Sequence, residues 1–223
     1  MKKSLFISAI SKFIVGIILV ATCLFLPAWT FEYSCAWLFL ALLFVPMAAV
    51  GGILFALNPE LLKKRLEGKE KQATQKRVVS LSALMFPLGF VISALDFRFG
   101  WSAVSPWIVI GASVLFLLGY LMYAEVMREN VYLSRTVEVQ QGQKVISSGL
   151  YCVVRHPMYL ATLLMFLPIP LILGSLWGLI PFAAYPVIIV VRILNEEKVL
   201  SGELEGYIEY KAKVKYRLIP FVW

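Results

Sequence analysis

Residues 160–191 form a run of 32 residues without a single charged side chain. A helix of ordinary tilt needs only about 20 apolar residues to cross the hydrocarbon core of a bilayer, so this run is too long for one span. Pro168, Pro170, Gly174, Gly178 and Pro181 interrupt it. Proline removes a backbone donor and glycine weakens a helix interior. The run therefore reads as a helical hairpin that turns near residues 174–178, rather than as one strongly tilted helix. A hairpin brings its two ends together: the polar stretch 147–159 meets Arg192 and the residues after it.

The rest of the chain repeats the same theme. Apolar segments near residues 5–26, 35–57, 78–95 and 104–127 each suit one span. With the hairpin counted twice, the expectation is an all-α polytopic membrane protein of about six spans. Composition agrees: 61% of residues are hydrophobic, only 15% are charged, and the mean hydropathy is +0.83. A soluble domain carries roughly 25% charge. No internal repeat is evident. Two regions are expected: residues 1–127, membrane helices with a charged loop at 58–77, and residues 128–223, a polar connector, the hairpin and an amphipathic C-terminal segment.

Pro59 at a helix N1 position, with Asn58 as its cap, predicts a short surface helix over 59–66. Lys12 lies within the first span and is expected to reach back to the headgroups. Pro46 and the Gly51–Gly52 pair are expected to bend the second span or to permit close packing. Residues 136–140 alternate and suit a short strand or an extended loop. After Arg192, Val199, Leu200, Leu204, Tyr207, Ile208 and Val214 share roughly one helical face, which predicts an interfacial helix.

The net charge of +8 does not point to nucleic acid. The basic residues flank apolar segments and lack the aromatic interleaving that binds single strands. Anionic lipid is the better partner for them. Placing both termini in the cytoplasm puts 20 of the 21 Lys and Arg on the inner side or its edge, leaving only Arg98 outside. The first apolar segment lacks a small-residue cleavage site and reads as a retained helix. Cys23, Cys35 and Cys152 have no metal-ligand spacing, and no metal site is expected.

The chemistry gathers at the hairpin ends. His156 is the only histidine, and Pro157 suits the first turn of the helix that follows it. The N–H groups of that first turn can receive an anionic or polarisable ligand. A plain membrane loop with an interfacial Arg155–His156 pair explains the same residues. On the other side, Arg192 and Glu196 are four apart and share a helix face. They form either a mutual ion pair or a site offering a carboxylate and a guanidinium to a ligand.

Together these residues carry a resemblance. The ordered set Gly149-Leu150-Tyr151, Arg155-His156-Pro157-Met158-Tyr159, Arg192 with Glu196-Glu197 and Leu200, Tyr207 with Tyr210, and Arg217 with Pro220 resembles the isoprenylcysteine carboxyl methyltransferase family. Its wider group includes phospholipid N-methyltransferases. Residues 58–62 and 96–101 resemble the bacterial branch, which implies a bacterial inner membrane. The resemblance implies an integral-membrane methyltransferase that uses S-adenosylmethionine without a Rossmann domain and takes a lipophilic acceptor from the bilayer. It implies cofactor contacts at Gln140, Gln143, Lys144, Val145, Ile146, Tyr151, His156, Pro157, Met158, Tyr159 and Glu196. It also implies that Arg192 acts on the acceptor, as the catalytic and substrate-binding residue. Two departures stand out: Ala161 where many members have glycine, and Leu150 where bacterial relatives often have proline.

A carboxylate acceptor is nucleophilic at neutral pH and needs no general base, so orientation and exclusion of water would dominate catalysis. An amine acceptor would have to lose a proton first, giving His156 or Glu197 a proton-accepting role. A non-methylating, reductase-like membrane enzyme and an inactive structural relative are the remaining alternatives.

Overall fold

The computed structural model describes residues 2–67, 73–133 and 137–223, and every regular element among them is helical. In chain order these are α1 (Lys2–Ala28), α2 (Ser34–Leu57), α3 (Pro59–Glu67), α4 (Ala73–Phe99) and α5 (Pro106–Glu129). A 3-10 turn, Gly149–Cys152, precedes α6 (Pro157–Phe166), α7 (Ile169–Ile172), α8 (Leu179–Phe182), α9 (Ala184–Glu203) and α10 (Tyr207–Lys213). Residues 68–72 of the charged loop and Thr136 of the alternating run lie outside the described residues. Residues 137–140 are irregular rather than a strand.

Five stretches are long and apolar enough to cross a membrane: Lys3–Ala28, Ser34–Leu57, Ser82–Phe99, Pro106–Glu129 and Leu179–Glu203. The sixth expected span, Pro157–Ile172, is shorter and is broken between α6 and α7. Pro168 and Pro170 remove donors there, so the descending arm of the hairpin is two short helices instead of one. Gly174 takes φ +75°, a left-handed conformation that suits glycine, where the hairpin turns as expected.

Large apolar side chains such as Val15, Ile18, Leu121 and Val187 are exposed along the helices, as a lipid-facing surface requires. The interior is packed with Leu24, Phe39, Phe90, Phe116, Ile172, Phe182 and Ile193. Phe86 joins the hairpin to α4, with its ring 5.0 Å from Phe166 and 5.5 Å from Phe182. α5 and α6 approach closely because Gly119 has no side chain: a Cβ there would lie 2.6 Å from Met165 Cγ and 3.0 Å from the Ala161 carbonyl.

The turns α1–α2 and α4–α5 and the hairpin tip share one end of the bundle. Arg98 lies 5.5 Å from the Trp29 ring centre, and Trp101 and Trp177 are 6.4 Å apart. Trp29, Phe31, Trp37, Phe99, Trp101, Trp107 and Trp177 are exposed at that end, an aromatic belt of the kind found at membrane interfaces. α3, the connector and the C-terminal segment therefore gather at the other end.

Four local expectations meet different outcomes there. Asn58 Oδ1 accepts the Leu61 N–H at 3.1 Å, so α3 is capped as read from sequence. Lys12 donates to the Leu66 carbonyl at 2.6 Å, holding α3 rather than only reaching for headgroups. Among the described residues nothing lies within 4 Å of a notional Cβ at Gly51 or Gly52, so close packing is not their role there. The C-terminal segment is not one interfacial helix. Gly206 at φ +79° separates α9 from α10, and Ile208 is exposed. The apolar face formed by Leu204, Tyr207, Tyr210 and Val214 packs on Val139 and Val145 of the connector, because that surface buries it more fully than a bilayer interface would.

Candidate active site

Pro157 occupies the first turn of α6, leaving His156 just outside it at φ −126° and ψ 59°. The N–H groups of Arg155 and His156 donate to the carbonyls of Tyr216 and Arg217, both at 2.9 Å. The Arg155 guanidinium donates to Glu197 Oε1 at 2.7 Å and to the carbonyls of Val214 and Lys215 at 2.8 and 2.9 Å. Arg217 Nε donates to Glu197 Oε2 at 3.0 Å, and His156 Nε2 lies 3.3 Å from Oε1. Lys211 Nζ is 3.9 Å from Oε2. Glu197 is only 4% exposed, so this carboxylate ties α6, α9 and the C-terminal segment into one charged knot. A charge buried at such a depth persists only when paired.

Glu196, its neighbour, turns to a different side of α9. Arg192 Nε donates to the Tyr159 hydroxyl at 2.9 Å, and that hydroxyl donates to Glu196 Oε2. The Arg192 guanidinium also lies 5.8 Å from the Tyr159 ring centre. The two sequence alternatives for Arg192 and Glu196 thus meet in a third residue: Tyr159, from the opposite arm of the hairpin, links them.

This triad stands between two cavities. The first, about 850 Å³ of space partly open to solvent, lies among the connector, α6, α9 and α10. Its polar lining includes Asn130, Glu138, Lys144, His156, Glu196 and Tyr207. The second, about 1770 Å³ and also open, is lined mainly by apolar side chains of α2, α5, α6 and α9. Met158, Tyr159 and Arg192 line both.

The connector is shaped by its own hydrogen bonds. Asn130 accepts the Tyr132 N–H at 3.0 Å and donates to the Tyr151 hydroxyl at 2.9 Å. Tyr210 donates its hydroxyl to the Tyr151 carbonyl at 2.7 Å. Gly149, at φ +50°, lies where a Cβ would fall 1.9 Å from the Glu129 carboxylate, which accepts the Leu150 N–H at 3.2 Å. Burial pushes the Tyr151 phenol up to about 12, and it raises Tyr207 and Tyr210 as well. These phenols stay neutral at physiological pH and act as hydrogen-bonding groups rather than bases. The Tyr207 hydroxyl is buried in the lining of the first cavity with no hydrogen-bond partner among the described residues. Buried polar groups are normally satisfied, so this one is suited to a ligand.

The phospholipid methyltransferase family profile matches residues 107–204. This part of the chain is similar to the phospholipid methyltransferase family. The match runs from α5 through the hairpin to the end of α9, and so includes Tyr159, Arg192 and Glu196. No curated protein matches the chain significantly.

Within and around this matched region, Gln143, Lys144, Val145, Ile146, Tyr151, His156, Met158, Tyr159, Arg192 and Glu196 all line the first cavity. Gln140 and Pro157 do not. Gln140 Nε2 donates to the Tyr132 carbonyl at 2.5 Å, and its N–H donates to Gln143 Oε1 at 2.9 Å, so it shapes the connector. Pro157 is buried as the first residue of α6. Sequence reasoning assigned no role in the site to Asn130, Tyr132, Glu138, Leu200, Leu204, Tyr207 or Tyr210, which also line the cavity. For Leu200 the signal was present: with Arg192 and Glu196 it forms an i, i+4 ladder on one face of α9, and Leu204 follows as the C-cap residue. The spacing of Tyr207 and Tyr210 places them on one face of α10 in the same way.

Proposed function

We propose that the chain is an integral-membrane, S-adenosylmethionine-dependent methyltransferase that methylates a carboxylate on a lipid-like or prenylated acceptor. One observation carries this reading: a polar cavity and a mainly apolar cavity share Met158, Tyr159 and Arg192, so a polar donor and a lipophilic acceptor can meet there. The polar cavity's mixture of Glu138, Glu196, Lys144 and neutral tyrosines fits a molecule bearing hydroxyl, ammonium, carboxylate and aromatic groups, and the Tyr207 hydroxyl awaits a partner.

When bound, S-adenosylmethionine supplies an electrophilic methyl group on a sulfonium whose positive charge is lost on transfer. Glu196 and Tyr207 hold its polar groups, and residues 143–146 cover it. Arg192 orients the acceptor carboxylate, and Tyr159 fixes Arg192 through its Nε. No proton has to leave the acceptor, so the residues contribute positioning and exclusion of water. The basic residues at the α3 end favour a cytoplasmic location for the site and for both termini.

Methylation of a phospholipid amine is the second reading, favoured by the matched family. Of the two candidate proton acceptors only His156 lines the first cavity, because Glu197 is committed to Arg155 and Arg217. Detergent-purified protein should bind labelled S-adenosylmethionine and transfer label to a lipid extract. Mild base should release that label as methanol if the product is a methyl ester. Base-stable label would favour the amine, and absence of cofactor binding would overturn both readings.

A further inference from the structure

The mainly apolar cavity has a floor. Its lining ends at Leu43 on α2, Tyr120 on α5, Phe166 on α6 and Tyr185 on α9, the lining residues of those helices farthest from the α3 end. These residues also meet one another. The Phe166 and Tyr185 rings lie 5.2 Å apart, and the Tyr120 hydroxyl donates to the Leu43 carbonyl at 2.8 Å. Gly119, beside Tyr120, lets α5 press against Met165, beside Phe166.

A second aromatic row stands behind the first. Phe39, Phe90, Phe116 and Phe182 are buried and do not line the cavity. Phe39 lies 5.5 Å from Phe90 and 6.1 Å from Phe116, and Phe90 lies 6.3 Å from Phe182. Phe86 and Phe116 join the rows: Phe86 is 6.1 Å from Tyr185, and Phe116 is 5.4 Å from Tyr120. Gly89 makes room for Phe182, whose ring would lie 2.2 Å from a Cβ there. Interiors packed in this way have little slack, so the cavity stops at the rings instead of continuing through the bundle.

Helix geometry gives the depth. Tyr159 and Arg192, which line both cavities, stand seven residues from Phe166 and Tyr185 on α6 and α9. At about 1.5 Å per residue that is about 10 Å, the length of roughly eight extended carbons.

We infer that this aromatic floor selects the methyl acceptor by chain length, and that Phe166 and Tyr185 set the limit. A chain of matching length ends against the two rings. A longer one must bend back toward the open side of the cavity and lose contacts. The inference rests on the apolar cavity holding the acceptor's tail, and it holds whichever head group is methylated.

The test uses octanol, dodecanol and hexadecanol, each with a photoreactive diazirine at the chain end, added to the protein in nanodiscs. Labelled residues are mapped by mass spectrometry. The octyl probe should label Phe166, Tyr185 and their cavity neighbours about tenfold or more over the hexadecyl probe, equivalent to about 1.4 kcal/mol. No probe should label Phe39 or Phe116. Tyr185→Ala removes part of the floor, so dodecyl labelling there should rise toward the octyl level and spread to Phe86 and Phe182. Tyr185→Phe should keep the wild-type pattern, because the ring and not the hydroxyl forms the floor. Phe166→Ala replaces the first variant if that protein does not fold. Equal floor labelling by octyl and hexadecyl probes, wild-type label on Phe39 or Phe116, or an alanine variant with the wild-type pattern would overturn the inference. S-adenosylmethionine binding on the same preparations separates the two failures. Wild-type protein that binds cofactor but shows any of those patterns loses only the chain-length role of the floor, whereas wild-type protein that binds no cofactor loses the methyltransferase reading.

Discussion

The hairpin is held at both ends by buried polar groups, yet the ends are built differently. At the tip, the fully buried Asp96 accepts the Ser102 N–H at 2.7 Å, the Ser102 hydroxyl at 2.6 Å and the Ser175 hydroxyl. Tyr33 donates to the Leu173 carbonyl at 2.6 Å, and Gly178 lets the turn press against Ser93, whose Oγ would be 2.2 Å from a Cβ. These groups satisfy one another. At the open end, Glu197 does the same for Arg155 and Arg217, but one residue earlier Glu196 lines a cavity, as do Arg192 and the unpartnered Tyr207 hydroxyl. Glu197 and Asp96 lie outside the cavity lining and hold the fold, whereas Glu196, Arg192 and Tyr207 line the cavity and can meet a ligand. The adjacent carboxylates of Glu196 and Glu197 carry that distinction within one turn of helix.

The contrast can be broken most severely at Glu197. Glu197→Ala leaves Arg155 buried without its carboxylate and should cost about 3–5 kcal/mol of stability, seen as loss of folded protein or a large drop in melting temperature in detergent. Asp96→Asn should destabilise by about 1–3 kcal/mol through weakened hydrogen bonds at the tip, while cofactor affinity in the surviving folded protein stays unchanged. Glu196→Gln should do the reverse, weakening S-adenosylmethionine binding by about 1.5–3 kcal/mol with little change in melting temperature. The same substitution at the exposed Glu203 is the control, and equal losses at both positions would dissolve the distinction. The smallest effect is expected at Tyr207. Tyr207→Phe should weaken cofactor binding by about 0.5–1.5 kcal/mol, yet leave the ligand-free protein as stable as before or slightly more so, because a buried unpaired hydroxyl has been removed.

Much of this organisation was legible because it follows from backbone chemistry. The break at Pro168 and Pro170, the turn at Gly174 and the Asn58 cap each depend on a residue type acting locally. The i, i+4 relation of Arg192 and Glu196 was equally plain. What sequence left open was decided across the hairpin. Whether Arg192 pairs with Glu196 depended on Tyr159, 33 residues away, and the commitment of Glu197 depended on Arg155 and Arg217 from two other segments. The face containing Leu204, Tyr207 and Val214 suggested a helix on lipid, because periodicity reports that a face is apolar without reporting what covers it. Gln140 illustrates the same limit: an amide beside the site looks alike in sequence whether it meets a ligand or, as here, the Tyr132 carbonyl.

The account stands or falls on Arg192 serving the acceptor at the junction of the two cavities. Arg192→Lys keeps one positive charge but loses the planar, multi-donor guanidinium. With labelled S-adenosylmethionine and an acceptor-containing lipid extract, the variant should bind cofactor almost as the wild type does. Methyl transfer should fall tenfold or more, a barrier increase of at least about 1.4 kcal/mol. Cofactor binding and transfer falling together would contradict the account and leave Arg192 as a partner of Tyr159 and Glu196 on the donor side alone.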